Sequence, residues 1–219
     1  MRAHSPFVPT AEAAFIAGLN DRQMNRLVDE HLVPAALLRQ DGSTRLFARL
    51  SAAFARFYFD TEQLLVANAR RQVFEELTLR VEKLQSKVDV FALIVMPNDV
   101  NWKVVRAGIE IDLLPFITRA FIRAKEVDDA DALVSTDPQA MGGEPCFTGT
   151  RVPIDIVLAS LEKGIDNERL RDSYRFLTDA HIAAARVYAQ VHPRRGRPRR
   201  LADSNPPSLR RTTRVVRPV

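Results

Sequence analysis

From Gly142 to Gly164 the chain reads GGEPCFTGTRVPIDIVLASLEKG, bringing four glycines, two prolines and the only cysteine into 23 residues. A glycine-rich loop before a helix can cradle phosphate. The phosphate-binding loop needs four residues between its glycines and a lysine before its Ser/Thr. Here five residues separate Gly143 from Gly149, and Thr150 is followed by Arg151 with no lysine before it, so that chemistry is rejected. A nucleophilic Cys146 would need a base and a group to orient it. The four histidines are scattered, and no spacing brings one to the cysteine; a lone cysteine more often acts as a small packed hydrophobe. One cysteine forms no internal disulfide, and no Cys/His cluster has zinc spacing. No catalytic residue, metal or cofactor is expected. The remaining chemistry is that of arginine.

The net charge is +5 over 219 residues, but it is unevenly placed. From Pro193 onward nine arginines face Asp203 alone, which gives the tail +8 and leaves the preceding 192 residues at −3. A mildly acidic body with a basic tail points to an acidic partner, either nucleic acid or a protein with a negative pocket. Apolar content of 46% suffices for a packed core. No run of eighteen apolar residues is present, and Met1–Thr10 lacks the basic and apolar regions of a secretory signal. A cytoplasmic protein without membrane association is expected.

Patterning divides the chain into residues 1–60, 61–128, 129–192 and 193–219. In the first part Thr10 can cap a helix that Gly18 stops. Asn20 caps a second helix, Asp21 to Glu30, with Gln23 placed to complete a capping box. LLRQDGSTRLF then alternates around Asp41-Gly42, a hairpin signal. A helix from about Ser51 follows, with Leu50, Phe54, Phe57 and Tyr58 on one face. In the second part Val73, Leu77, Val81, Leu84 and Val88 form a helical stripe, which suits a core-facing helix or a dimer-forming one. VVRAGIEIDLL reads as a strand, and Phe116 to Lys125 as a helix. In the third part ALVST reads as a short strand. Ile154 to Lys163 is an amphipathic helix with Gly164 as its C-cap; Asp166 starts a second helix and Thr178 caps a third. The tail has no core pattern and is expected to be disordered when unbound. The predicted fold class is mainly α (α+β): a winged helix-turn-helix, a middle segment of helix and strand, a three-helix helix-turn-helix-like domain with short strands, and the basic tail.

Ala14, Gly18, Met24 and Leu27 fall where a helix-turn-helix needs its small contact residue, its turn glycine and the apolar anchors of its second helix. With the hairpin, which carries Arg39 and Arg45, this part resembles the N-terminal DNA-binding domain of MerR-type regulators. That resemblance places Arg22, Gln23, Asn25 and Arg26 on the exposed face of the second helix, where such side chains reach base edges or phosphates. Asp21, Asp29 and Glu30 weaken the field there.

The stretch from Gly142, followed by LRDSYRFLTDAHIAAARVYAQ, resembles a small bacterial domain of the form G-x-P-x-x-x-G-T-R-[IV]-P-[IV]. Gly143, Pro145, Gly149, Thr150, Arg151, Val152 and Pro153 carry the first part of the pattern; Leu177, Thr178, Ile182, Ala185, Tyr188 and Ala189 carry the second. Members resemble antitoxins encoded beside toxins of the PIN-like nuclease fold, and those joined to a helix-turn-helix resemble VapB-type antitoxins. On this reading Gly149 and Pro153 are turn chemistry that fixes a tight approach of strand to helix. Arg151 either braces that turn or contacts the partner. The last helix, DAHIAAARVYAQ, has three consecutive alanines and Arg186 as its only arginine. Its surface suits close protein contact better than phosphate.

In the tail, RRGRPRR resembles the AT-hook, in which Arg195, Gly196 and Arg197 would lie in a narrow A·T-rich minor groove. Several VapB-type antitoxins instead block the carboxylate cluster of their toxin with a C-terminal arginine, and a guanidinium pairs bidentately with carboxylates. A solvated basic tail is the third possibility. The resemblances together imply an antitoxin that binds a VapC-type ribonuclease through Arg151, Tyr188, Arg194, Arg199 and Arg200. They also imply a homodimer that represses its own promoter on double-stranded DNA. The alternative is a MerR-like transcription regulator with a ligand-sensing C-terminal part and no toxin.

Overall fold

The backbone of Gly18 lies in the left-handed region at φ 66°, a conformation that strains residues with a Cβ, and helix α1 (Thr10–Ala17) ends there. The computed structural model describes residues 6–96, 98–138 and 141–193. Strand β1 (Phe7–Pro9) leads directly into α1. Pro9 takes the N-cap position, and the expected cap, Thr10, is the first helical residue. Helix α2 (Asp21–Asp29) begins as its sequence specifies: the Asn20 side chain accepts from the Gln23 N–H at 2.9 Å, and Gln23 Oε1 accepts from the Asn20 N–H at 3.1 Å. Asn20→Ala should lower stability by about 1 kcal/mol. Urea unfolding checks this, and an unchanged midpoint would remove the cap from the account.

The hairpin pairs β2 (Leu38–Asp41) with β3 (Thr44–Ala48) across Gly42 and Ser43, and β1 adds to the other edge of β3. Helix α3 (Leu50–Asp60) follows at once, and Leu50, Phe54, Phe57 and Tyr58 are all buried.

The helical stripe splits. Val73, Leu77 and Val81 on α4 (Ala67–Glu82) are fully buried, so this part faces the core. Leu84 lies beyond the helix end, and Val88 is exposed on the separate helix α5 (Lys87–Phe91). The expected single strand is two strands, β4 (Lys103–Arg106) and β5 (Ile109–Asp112), folded back at Ala107 and Gly108. Both turn residues have positive φ, 49° and 79°, as a tight two-residue hairpin turn requires. Period-two alternation continues through such a turn, which hid the reversal. Helix α6 (Leu114–Leu133) extends well past the expected Lys125 and takes in Ala132 and Leu133 of ALVST.

Only Val134 and Ser135 of ALVST form a strand, β6 (Val134–Ser135), which pairs antiparallel with β7 (Cys146–Phe147). Three helices follow: α7 (Ile154–Glu162), α8 (Asn167–Ser173) and α9 (Asp179–Val191). Asp166 and Thr178 cap the last two through their side chains, as expected.

Two buried clusters hold these elements among the described residues. The first runs from Phe7 to Val127, across the 60/61 division, and also takes in Val191. The second spans Val134 to Tyr188. Helix α9 belongs to both: Ile182, Ala185 and Tyr188 sit in the second core, and Val191 sits in the first. It packs against α6 and touches α1. Two of the three consecutive alanines are buried within the chain. Ala184 and Ala185 are buried, as are Ala120, Ala124 and Ala130 of α6. The small-residue surface expected to meet a partner is thus largely used inside the chain, because small side chains let two helices approach closely.

One buried charge cluster joins three helices. Arg49, just before α3, donates from Nε to Glu12 Oε1 of α1 at 2.9 Å and from Nη1 to Asp128 Oδ1 of α6 at 2.8 Å. Arg49 and Glu12 are both buried. Burial pushes the Glu12 carboxyl above its ordinary range, with Arg49 opposing. Burial pulls the Arg49 guanidinium down, but Glu12 and Asp128 more than offset it and hold it raised.

Candidate nucleic-acid and partner interfaces

The α2 residues expected to face DNA are largely occupied. Gln23 is half-buried and its carbonyl oxygen closes the capping box. Asn25 is also half-buried, and its Oδ1 accepts from Arg45 Nη1 at 3.1 Å. Both amide oxygens thus serve structure: one satisfies an orphan N–H at the helix start, and the other ties the hairpin to α2. Arg45 is a strut between hairpin and helix, since its Nη2 also meets Asp29 at 2.7 Å. Arg26 is exposed but paired with Glu30 at 2.6 Å, and Glu62 stands 3.8 Å away. Arg39 lies over the Phe7 ring at 4.0 Å. Arg22 is exposed and has no partner among the described residues. Each paired arginine has part of its charge balanced locally, so the helix pair presents a weaker positive field than its arginine content suggests.

In the C-terminal module the loop before α7 is built by threonines. Thr150 Oγ1 donates to the Phe147 carbonyl at 2.9 Å and accepts from the Val152 N–H at 3.1 Å. Thr148 Oγ1 donates to the Ala132 carbonyl of α6 at 3.2 Å. Arg151 is exposed and makes no hydrogen bond or ion pair with this turn among the described residues, and Thr150 supplies the bracing bonds. Gly149 has φ 76°, and a Cβ there would meet nothing within 4 Å. Its glycine serves the backbone conformation, not the close approach expected of it.

Cys146 is buried, and its Sγ donates to the Glu144 carbonyl at 3.4 Å. Burial pushes the thiol up, with Glu144 adding to the effect, away from the thiolate a nucleophile needs. His181 stands at the N-terminus of α9, its Nδ1 2.7 Å from Thr178 Oγ1 and its ring against Phe147 and Phe176. Among the described residues no three of His, Cys, Asp and Glu come together as a metal site.

Tyr188, expected on the partner surface, is 9% exposed and stacks on His192 with ring centroids 4.1 Å apart. It is a core residue, because its position on α9 faces the second cluster. The outward side of α9 instead carries Ala183, Arg186 and Gln190. Between α7 and α9 lies an open groove of about 390 Å³, with Leu158, Leu161 and Ala189 beside Glu162 and Arg186. Arg194, Arg195, Gly196, Arg197, Arg199 and Arg200 lie outside the described residues.

Residues 134–189 match the family described as "Protein of unknown function (DUF433)". Over 207 residues the chain is 31% identical to the uncharacterized protein y4eO of Sinorhizobium fredii (strain NBRC 101917 / NGR234), which covers 93% of this chain and 91% of that protein. The chain belongs to the DUF433 family. No solved structure matches it. The DUF433 portion begins at β6 and stops before Val191, the α9 residue that enters the first core. The longer alignment carries the likeness across the N-terminal elements as well. Within the DUF433 portion the motif residues take up the turn, the loop braces and the core, which leaves Arg151 and the α7–α9 groove on the outside. Among the described residues no helix is long and apolar enough to cross a membrane.

Proposed function

We propose that this chain is the antitoxin of a type II toxin–antitoxin module: its DUF433 portion and tail hold a PIN-like ribonuclease, and its N-terminal helix pair binds promoter DNA. The observation that carries the reading is the joining of a helix-turn-helix with a hairpin to a DUF433 module through α6 and α9. The partner surface is the α7–α9 groove with Arg186, and exposed Arg151 before α7 is a further contact. The tail arginines supply groups suited to a carboxylate cluster. On the DNA side, Arg22 is the foremost contact of α2, and the tail adds phosphate binding. Helix α9 gives the two activities a physical connection, since it enters both cores and touches α1. A toxin that prefers one arrangement of α9 would shift DNA affinity.

The test is a native pull-down of the tagged full-length chain, with mass spectrometry of what co-purifies. The expected result is a stoichiometric small protein bearing a PIN-like acidic cluster, retained by Arg22→Ala while promoter binding by that variant falls at least about tenfold. Recovery of DNA with no protein would overturn the antitoxin reading in favour of a MerR-like regulator.

A further inference from the structure

The geometry points to a binding site for a small dianionic oxyanion, of the phosphate class, in the cavity where α1, α3 and α6 meet. This site does not depend on the function proposed above. The cavity holds about 170 Å³ and is walled by Ile16, Ala52 and Ala53 on one side and Phe116 and Ala120 on the other. Three arginines, Arg56, Arg119 and Arg123, line it.

Their existing bonds leave much of their capacity unused. Arg123 donates from Nε to the Phe15 carbonyl at 2.7 Å, and its guanidinium lies 4.2 Å from the centre of the Phe15 ring. Neither contact supplies a negative charge. Arg56 donates from Nε to Asp60 at 2.8 Å and from Nη1 to the Gly18 carbonyl at 3.2 Å. Arg119 is exposed, stands 5.3 Å from the Phe116 ring centre, and has no carboxylate partner among the described residues. Among the described residues the Asp60 carboxylate, on Arg56, is the only one bonded to any of the three guanidiniums. Asp21 lines a neighbouring cleft together with Gly18 and Arg123.

Each guanidinium offers five N–H donors in a planar fork, which matches the oxygens of phosphate. At roughly 30 Å³ per water, the cavity has the room of five or six waters. That admits inorganic phosphate or the phosphate end of a monoester. The concave, partly apolar walls also separate it from a surface that tracks duplex DNA. An occupant would tie the end of α1, the first helix of the DNA-binding pair, to α3 and α6.

Isothermal titration of the full chain with inorganic phosphate, at fixed pH and ionic strength set with chloride, tests the site. Saturable binding is expected. Arg119→Gln should weaken it about tenfold or more, because that side chain makes no bond the fold needs. Arg175→Gln, which removes the same charge at an exposed position outside the cavity, should leave it unchanged. Duplex DNA affinity of Arg119→Gln should stay within about twofold of the parent. Absence of saturable binding, or equal weakening by both variants, would overturn the proposal. Loss of DNA affinity with phosphate binding intact would reassign the cluster to the DNA backbone and overturn it equally.

Discussion

Replacing Arg49 with Ala should destabilise the chain by about 3–5 kcal/mol, because it leaves buried Glu12 without its counter-charge and strips Asp128 of the same partner. Against a typical total of about 5–15 kcal/mol for a domain, that loss is a large fraction. The variant should also respond to pH in a defined direction. The Glu12 carboxyl is already raised by burial, and Arg49 is the main influence opposing the shift. Without Arg49 it rises further. A carboxyl raised in the folded state binds more protons folded than unfolded, so stability falls as pH climbs from the ordinary carboxylate range through the folded value. Arg49→Ala should therefore be closer to the parent at pH 5 than at pH 8. Denaturant unfolding at the two pH values decides it, and a larger deficit at pH 5 would show that the cluster is not held as described. Replacing Glu12 and Arg49 together with apolar residues should recover much of the loss, since Asp128, with its side chain 26% exposed, can still be hydrated.

Removing residues 194–219 should cost more DNA affinity than any change in the helix pair. The deletion takes away nine arginines and one aspartate, a net +8, and leaves a body near −3. Within that body Arg26 and Arg45 are paired with Glu30 and Asp29, so little unbalanced positive charge remains at α2. If every net tail charge met a phosphate, the slope of log affinity against log salt would flatten by about seven. Affinity near physiological salt should fall on the order of a hundredfold or more. Fluorescence anisotropy on a duplex across a salt series measures both quantities. A truncated chain with the parent slope would remove the tail from DNA binding, and its arginines would then be left to the proposed ribonuclease partner.

The two arginine groups differ in how readily they could be read. Tail charge is a matter of composition and is plain in the chain. The pairing of Arg26 with Glu30 spans one helical turn, and its spacing was visible. The partners of Arg45 and Arg49 lie 16 to 79 residues away along the chain, and no local pattern announces them. One signal for Arg49 was available: it sits inside LFARLSAAF, where a lone charge in an apolar run implies a buried partner. The cavity arginines gave no such sign, because Arg56, Arg119 and Arg123 come from two helices far apart in sequence.

By itself the sequence determined the helix ends at Gly18, Asn20, Asp166 and Thr178, the first hairpin, and the burial of the α3 face. Each rests on interactions within a few residues, through side-chain capping, positive φ or helical periodicity. Tertiary structure alone decided that Tyr188, Ala184 and Ala185 face inward while Ala183 stays outside. It also decided that Asn25 accepts from Arg45 of the hairpin, and that three arginines converge beside α1. The physical reason is the same in each case. An amphipathic helix declares which side is apolar, but whether a polar or small side chain meets water, a partner or its own chain depends on which distant element arrives beside it.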